Sequence, residues 1–285
     1  MRALNPTVAG PDPIEVRTYG SAGPTITVLH GGPGAPGSVA ALARDLGRDF
    51  RVLEPLQRRS GAVPLTVSRH VEDLAAVAPM PAILVGWSWG AMLALSFGAR
   101  YPDRTAALVL IGCGTYDDAS RAEYSLRMEQ RLGPEGRSRM RELRDRLLAT
   151  TDPAELDRLL AEQGRLAAAA QSVDPIEDDE PAGDRLPVDS RGHEETWADV
   201  LRLQCEGIEP AIFGAIDAPV LMLHGDQDPH PGRAISNALR GHVSRLEYVA
   251  LPECGHEPWR ERRARQQFFA VLRAWLADKA ASGLS

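Results

Sequence analysis

The chain has 285 residues, 44% apolar and 25% charged, a composition typical of a soluble globular protein built on one large domain. Its formal net charge of −7 argues against a nucleic-acid-binding protein, because such proteins carry a basic patch or stripe. Three cysteines cannot all pair, and the spacing of Cys113, Cys205 and Cys254 matches neither a zinc site nor a disulfide framework. We therefore expect free thiols in a cytoplasmic protein.

Predicted strands and helices alternate through the first 111 residues. We predict strands at residues 15–19, 25–29, 51–53, 83–85 and 106–111. Helices are predicted at residues 39–46, 67–77 and 91–100, the second with Thr66 as its N-cap. The inner strands are apolar on both faces, which is typical of a mostly parallel sheet flanked on both sides by helices.

This alternation stops after Gly114. Residues 117–171 are charged, helical in pattern and free of strands, with helix breakers at Gly133-Pro134 and Asp152-Pro153. An acidic, proline-rich loop at 174–187, a helix at 193–206, strands at 220–223 and 246–250, and a helix at 257–279 follow. The sequence thus predicts a core domain of residues 1–114 and 216–285, interrupted by a mainly helical cap or lid at 115–215.

One segment, residues 81–99, is apolar over nearly the length of a membrane span. Gly86, Ser88 and Gly90 interrupt its middle, and its first part is rich in β-forming residues, so a buried strand and a buried helix explain it better. The N-terminal stretch MRALNPTVAGPDP also lacks the apolar region of a secretory signal. The sequence therefore predicts neither a membrane partner nor a secretory leader.

The same segment contains a candidate nucleophile. Residues 83–92 read as a strand, then Gly86-Trp87-Ser88-Trp89-Gly90, then a helix. A serine on so sharp a strand-to-helix turn is held above the sheet in a strained conformation, and its neighbours two residues away must be small. The alternative is a serine in a tight turn with glycines for packing alone, which explains the apolar flanks poorly.

A glycine-rich loop, His30-Gly31-Gly32-Pro33-Gly34, follows the second predicted strand. Acyl transfer builds negative charge on a carbonyl oxygen, so backbone donors are needed beside the nucleophile. We expect the N–H groups of Gly32 and Trp89 to form this oxyanion hole, with His30 orienting the loop. The alternatives are a simple turn and a phosphate-binding loop, but the Lys-Ser/Thr pair of the latter is missing.

The remaining candidates follow the strand at 220–223 and the strand at 246–250. Asp226 and Asp228 lie in the first loop, and we favour Asp228 as the acid and assign Asp226 to shaping the turn. His256 lies in the second loop, where a general base must sit to reach over the sheet. We interpret His193, His230 and His242 as surface or lid histidines.

Metal binding by His224, Asp228, His230 and His256 is the alternative reading of these loops. Their spacing resembles no ligand motif, and a metal there would compete with a catalytic triad. We therefore expect neither a metal nor another cofactor.

Taken together, these residues resemble the α/β-hydrolase superfamily over almost the whole chain outside the insertion. HGGPG at 30–34 and GWSWG at 86–90 are similar to the proline iminopeptidase branch, and CGHEPW at 254–259 to the usual base loop of the superfamily. The resemblance implies an α/β-hydrolase fold with a helical cap. It also implies removal of N-terminal proline from peptides, with acidic cap residues holding the free amine.

The sequence departs from that branch in two places. Residues 54–61 replace an aspartate–arginine–glycine-rich segment, and Tyr116 and Tyr124 stand where a tryptophan-rich, glutamate-containing motif is usual. The insertion has acidic clusters at 177–180 and 194–195, which we interpret as a solvated loop and a solvated helix face. We interpret its aromatic residues Tyr124 and Trp197 as core in preference to pocket lining.

These observations favour a serine hydrolase that acts through an acyl-enzyme. Its substrate would be a small carboxylic ester, a lactone or a peptide with N-terminal proline, and the sequence does not decide among them. An acyltransferase or cyclase using the same triad and a non-catalytic ligand-binding protein are the alternatives. The predicted partner is a small molecule or short peptide, and the oligomeric state is left open.

Overall fold

The structure is a computed structural model that describes residues 13–176, 181 and 183–282. The acidic cluster predicted at 177–180 and the first twelve residues lie outside the described residues. The described chain forms a seven-stranded sheet covered by helices, which confirms the predicted α/β-hydrolase fold class.

Seven strands form one sheet in the order β1-β3-β2-β4-β5-β6-β7. In chain order they are β1 (Val16–Tyr19), β2 (Thr25–Leu29), β3 (Arg51–Pro55), β4 (Ala82–Trp87), β5 (Thr105–Ile111), β6 (Val220–Gly225) and β7 (Leu246–Leu251). Only β1 pairs antiparallel with its neighbour; every other pairing in this sheet is parallel. The carboxyl ends of the parallel strands therefore meet at one edge, where ligands bind in open α/β sheets.

Eight α-helices accompany the sheet in the described part of the chain. They are α1 (Ala40–Leu46), α2 (Val67–Val77), α3 (Trp89–Arg100), α4 (Asp118–Ala149), α5 (Pro153–Gln171), α6 (Ser190–Cys205), α7 (Gly232–Arg240) and α8 (Arg265–Ser282). Buried side chains of α2, α3 and α7 pack on one face of the sheet, and those of α1 and α8 on the other. None of the helices in the described residues is long and apolar enough to cross a membrane.

Local signals set several boundaries. Thr66 caps α2 as predicted, since its Oγ1 accepts a hydrogen bond from the Arg69 N–H at 3.2 Å. Asp152 caps α5 in the same way, with Pro153 in the first turn. The break predicted at Gly133-Pro134 interrupts α4, because Gly133 has φ 64° and ψ −177° there.

The C-terminal helix was predicted from residue 257 but begins at Arg265. The eight preceding residues form a 3₁₀ turn at Pro258–Arg260 and a loop. Glu261, which is buried, accepts hydrogen bonds from the N–H groups of Val173, Asp174 and Gly255. This carboxylate ties the loop to the end of α5 and prevents an earlier helix start. The structure also contains α7, which the sequence analysis missed.

Candidate active site

Ser88 lies between β4 and α3 with φ 54° and ψ −118°, a strained conformation for a residue with a side chain. Its N–H donates to the Ile111 carbonyl of β5 at 2.9 Å. A Cβ added at Gly86 would lie 2.1 Å from the Gly90 oxygen, and one at Gly90 would lie 2.3 Å from the Leu29 oxygen. Both glycines are therefore required for the strand and helix to meet at this turn.

Asp228 and His256 are in direct contact. The Nδ1–H of His256 donates to Oδ2 of Asp228 at 2.7 Å, and both side chains are buried. Oδ1 of Asp228 accepts from the backbone N–H of His230 at 2.9 Å and from its Nδ1 at 3.0 Å. Nε2 of His224 lies 3.2 Å from Oδ2. One carboxylate thus receives donors from three histidines.

This arrangement fixes the protonation states of the acid and the base. Burial alone would raise the pKa of Asp228, but His256, His230 and His224 together hold it well below its usual value. Burial would lower the pKa of His256, and the neighbouring Asp228 carboxylate outweighs it and raises that pKa above its usual 6.5. An ionised Asp228 keeps the His256 proton on Nδ1, which leaves Nε2 free to accept one.

The structure separates the two aspartates that the sequence left as candidates. Asp226 is exposed, and its Oδ1 accepts only a long bond of 3.4 Å from the Cys254 N–H among the contacts described. Asp228 is 1% exposed and faces His256. The geometry therefore gives Asp226 the turn-shaping position and brings Asp228 to the histidine.

Ser88 and His256 lie at the same end of β5. Gly112 directly follows Ile111, whose carbonyl holds the Ser88 N–H, and a Cβ added at Gly112 would lie 2.9 Å from the His256 Nδ1. Trp87 provides a second link, because its indole N–H donates to the His256 carbonyl at 3.0 Å. The candidate nucleophile, base and acid thus meet at the carboxyl edge of the sheet.

The glycine-rich segment at 30–34, predicted to supply part of the oxyanion hole, lies beside Ser88, since a Cβ added at Gly31 would be 3.2 Å from the Ser88 Cβ. His30 anchors the loop: its Nδ1–H donates to the Gly31 carbonyl at 2.8 Å, and its Nε2 accepts from the Gln57 N–H at 3.1 Å. Burial lowers the pKa of His30 to about 4, so the ring is neutral. His30 occupies the loop-orienting position expected from the sequence.

Gln57 joins the two segments expected to supply the oxyanion hole. Its side-chain amide donates to the His30 carbonyl at 3.0 Å, and its Oε1 accepts from the Trp89 indole N–H at 2.7 Å. The sequence analysis did not select Gln57, because it lies in the segment 54–61 that departs from the iminopeptidase pattern. The signal that could have found it was a polar residue in the loop after a buried strand, at the carboxyl edge.

Two aromatic positions were misinterpreted. His230, predicted as a surface or lid histidine, has only 13% of its side chain exposed and stacks on His256 with ring centroids 4.6 Å apart. Tyr124 of α4 stacks on the His230 ring with centroids 4.2 Å apart, so it covers the site instead of filling the core. Trp197 packs against the apolar core, as predicted. His242 is exposed, as predicted.

The acidic residues of α6 are mostly engaged with the core. Glu195 accepts from the Leu65 N–H at 2.8 Å, and Asp199 accepts from the Val67 N–H at 2.9 Å, next to the start of α2. Glu194 is exposed. The predicted solvated helix face thus holds for Glu194 and is wrong for Glu195, which supplies an acceptor to the N-terminus of α2.

A metal could in principle be held by Asp228, His230 and His256, whose ligand atoms lie within 4.8 Å of one another. The two imidazole rings are stacked at an interplanar angle of 22°. Lone pairs in the planes of two nearly parallel rings cannot both point at one ion placed about 2 Å from each nitrogen. These side chains are instead arranged as a hydrogen-bonded cluster around one carboxylate.

The parallel sheet, the strained serine turn and the acid–histidine pair define an α/β protein of the hydrolase type. The chain belongs to the alpha/beta hydrolase fold family, whose sequence model matches residues 74–259, a region that includes Ser88, Asp228 and His256. The superfamily resemblance seen in the motifs is therefore confirmed.

Two curated relatives are pimeloyl-[acyl-carrier protein] methyl ester esterases. The one from Chromobacterium violaceum is 38% identical over 100 residues, which cover 34% of this chain and 39% of the relative. The one from Aromatoleum aromaticum is 34% identical over 92 residues, which cover 31% and 37%. The matched segments thus span well under half of each relative.

Solved structures show the same fold at low identity. A thermophilic esterase from Thermogutta terrifontis aligns with a TM-score of 0.60 and 19% identity over 94% of both chains. A proline iminopeptidase from Mycobacterium smegmatis aligns with a TM-score of 0.56 and 17% identity, over 94% of this chain and 95% of that one. At these identities the likeness concerns the fold alone.

Proposed function

We propose that this protein is a carboxylic ester hydrolase that works through an acyl-enzyme on Ser88. The observation that carries the proposal is the 2.7 Å hydrogen bond between Asp228 and His256, formed at the end of β5 where the Ser88 turn lies. The similarity of part of the chain to methyl ester esterases supports an ester as the substrate.

In this mechanism, Nε2 of His256 removes the proton of the Ser88 hydroxyl as Ser88 attacks the ester carbonyl. The N–H groups of Trp89 and Gly32 stabilise the oxyanion. His256 then protonates the departing alcohol, and afterwards activates a water that releases the acid. Asp228 keeps the His256 ring oriented and stabilises its charged form. The insertion of residues 115–215 acts as the cap over this edge of the sheet.

Removal of N-terminal proline is the second candidate, favoured by the HGGPG and GWSWG motifs. That reaction needs a carboxylate that can hold a free amine. Three acidic side chains of the insertion instead accept hydrogen bonds from protein groups: Asp189, Glu195 and Asp199. These carboxylates are therefore not free to hold such an amine, and the preference for an ester rests on the similarity to methyl ester esterases.

A fluorophosphonate probe tests the nucleophile. The wild type should be labelled at Ser88, whereas Ser88→Ala and His256→Ala should stay unlabelled with unchanged circular dichroism spectra. A folded wild-type protein that resists the probe would contradict the acyl-enzyme proposal.

A comparison of substrates tests the reaction class. Turnover of short-chain nitrophenyl esters should exceed turnover of proline naphthylamide by a large factor. The reverse preference would favour the iminopeptidase candidate while leaving the triad proposal intact.

A further inference from the structure

The glycine-rich loop of residues 30–37, here called the oxyanion loop, is held from two sides. Gln57, from the core, holds the His30 end. The insertion holds the other end through three hydrogen bonds to backbone carbonyls. They run from the Leu186 N–H to Pro36 at 3.1 Å, from the Asp189 N–H to Gly34 at 3.1 Å, and from the His193 Nδ1–H to Pro33 at 2.8 Å.

Gly34 shows how closely the insertion approaches this loop. It has φ +83°, and a Cβ at this position would lie 2.7 Å from the Asp189 carbonyl oxygen and 3.2 Å from the His193 Cβ. Any larger residue would push the start of α6 away from the loop. The close contact between α6 and the oxyanion loop therefore requires glycine at position 34.

The start of α6 is itself firmly fixed. Asp189, its N-cap, is 5% exposed and accepts from the Ser60 N–H at 2.5 Å, the Ser60 hydroxyl at 2.8 Å and the Gly192 N–H at 3.0 Å. His193 lies one turn into the helix, and its N–H donates to the Asp189 carbonyl at 2.9 Å. The imidazole is thus presented to Pro33 from an anchored helix end.

Pro33 is a sensitive position for such a contact because it directly follows Gly32. The pyrrolidine ring fixes φ of Pro33, and a hydrogen bond to its carbonyl restrains ψ. A carbonyl oxygen can only accept, so Nδ1 of His193 carries the proton. The hydrogen bond from His193 therefore anchors the backbone two peptide units after the one that carries the Gly32 N–H, in the short loop whose path sets the direction of that N–H.

We propose that His193 is a positioning residue through which the insertion sets the oxyanion hole. This inference rests on the proposed function. It means that the oxyanion hole is complete only when the first turn of α6 lies against the oxyanion loop. The cap then contributes to the chemical step itself, in addition to covering the substrate.

The test compares three histidine variants by steady-state kinetics on a nitrophenyl ester. His193→Ala should lower kcat about 10- to 100-fold and change KM less than about threefold. The loss of kcat should be smaller than the loss caused by removing an oxyanion donor outright, because the donor remains but is less well placed. His193→Asn should restore most of kcat, because its amide can donate from near the Nδ1 position. His242→Ala, at an exposed histidine, should behave as wild type.

Inhibition by a boronic acid, which mimics the tetrahedral intermediate, provides a second readout. Its inhibition constant should rise in His193→Ala by about the factor that kcat/KM falls, and recover in His193→Asn. If His193→Ala does not fold, His193→Gln keeps the side chain's bulk but moves its donor, and should show the same loss of kcat.

The inference is overturned if the wild type hydrolyses the ester and the Ala, Asn and Gln variants all match it. It is also overturned if Asn fails to restore kcat or if only KM changes. Failure of the proposed function is distinguishable, because the wild type itself would then neither react with the fluorophosphonate nor turn over the ester.

Discussion

In the centre of the sheet, β4, β5 and β6 bury nearly every side chain, whereas α4 and α5 of the insertion bury only four residues: Ser120, Met128, Leu143 and Leu159. Two ion pairs, Arg146–Glu155 at 2.6 Å and Arg139–Glu162, also join those helices. Pairs of this kind are solvent-screened and individually weak. The sheet thus depends on apolar burial, and the insertion depends more on salt-sensitive contacts.

The two regions meet at the loops that carry the candidate site. Arg127 of α4 donates to the Asp228 carbonyl at 3.3 Å, and Arg131 donates to the Gln227 carbonyl. His193 of α6 holds the oxyanion loop on the other side. A rigid apolar sheet therefore carries the candidate catalytic residues, while a more loosely packed insertion holds the loops on which they lie. The following predictions separate these two contributions.

The largest effect is expected at the acid loop. Asp228→Asn should lower kcat about 10⁴-fold, because an amide would favour the wrong tautomer of His256. Asp226→Asn, two residues away and exposed, is the matched control and should stay near wild type. Equal losses from both substitutions, measured by ester hydrolysis, would show that the acid has been misassigned.

The second prediction contrasts burial in the two regions. Leu110 of β5 is fully buried, so Leu110→Ala should lower the free energy of unfolding by about 2–5 kcal/mol. Leu148 of α4 is 82% exposed, and Leu148→Ala should change it by less than about 0.5 kcal/mol. Urea unfolding measures both. Similar losses of unfolding free energy from the two substitutions would contradict the exposed position of Leu148.

The third prediction concerns Glu209, which joins the end of the insertion to α3. Burial raises the pKa of this carboxyl from 4.5 to about 7. The Ser96 hydroxyl has one hydrogen but lies near two oxygens, 3.1 Å from the Met92 carbonyl and 2.7 Å from Glu209 Oε1. A protonated Glu209 can donate to Ser96 while Ser96 donates to Met92, so the neutral form satisfies both contacts.

Because the folded state holds this proton more tightly than the unfolded state, stability should fall as the pH rises from 4.5 through 7. Glu209→Gln removes that dependence. Relative to that of the wild type, its free energy of unfolding should rise by about 2.5 kcal/mol between pH 5 and pH 8, since each pKa unit corresponds to about 1.4 kcal/mol. Denaturant titrations at the two pH values measure this difference, and a gain that does not grow with pH would contradict it.

The smallest effect is expected for the ion pairs of the insertion. Arg139→Ala removes contacts with Glu142 and Glu162 at a solvent-exposed site. The melting temperature should fall by no more than about 2 °C at low salt, and the difference should vanish near 0.5 M NaCl. A large, salt-independent loss would show that the insertion is packed as firmly as the sheet.

The sequence predicted the fold where the local signal and the tertiary structure agree. β2 begins and ends at the predicted residues, and Thr66 caps α2, because apolar runs and capping chemistry are local. The predicted start of α8 was wrong because the Glu261 side chain accepts hydrogen bonds from backbone amides about ninety residues earlier in the chain. No periodicity in the sequence reports such a contact.

The candidate site shows the same division. Ser88 and His256 could be selected from motif and loop position, since their neighbours in the chain carry the signal. His230 and His193 could not be selected, because their importance comes from contacts with His256 and Pro33 across the fold, and Gln57 left only the weak signal of a polar residue after a buried strand. Residues that hold a site together leave weaker sequence signals than residues that perform its chemistry.

The strained turn at Ser88 has a consequence for how this protein could change over generations. Holding a serine at φ 54° costs on the order of 1–3 kcal/mol, which a glycine would recover. Ser88→Gly should therefore be more stable than the wild type and inactive toward esters. On the proposed function, selection for heat resistance alone would favour losing Ser88, and a continuing demand for ester hydrolysis would keep a side chain at this position.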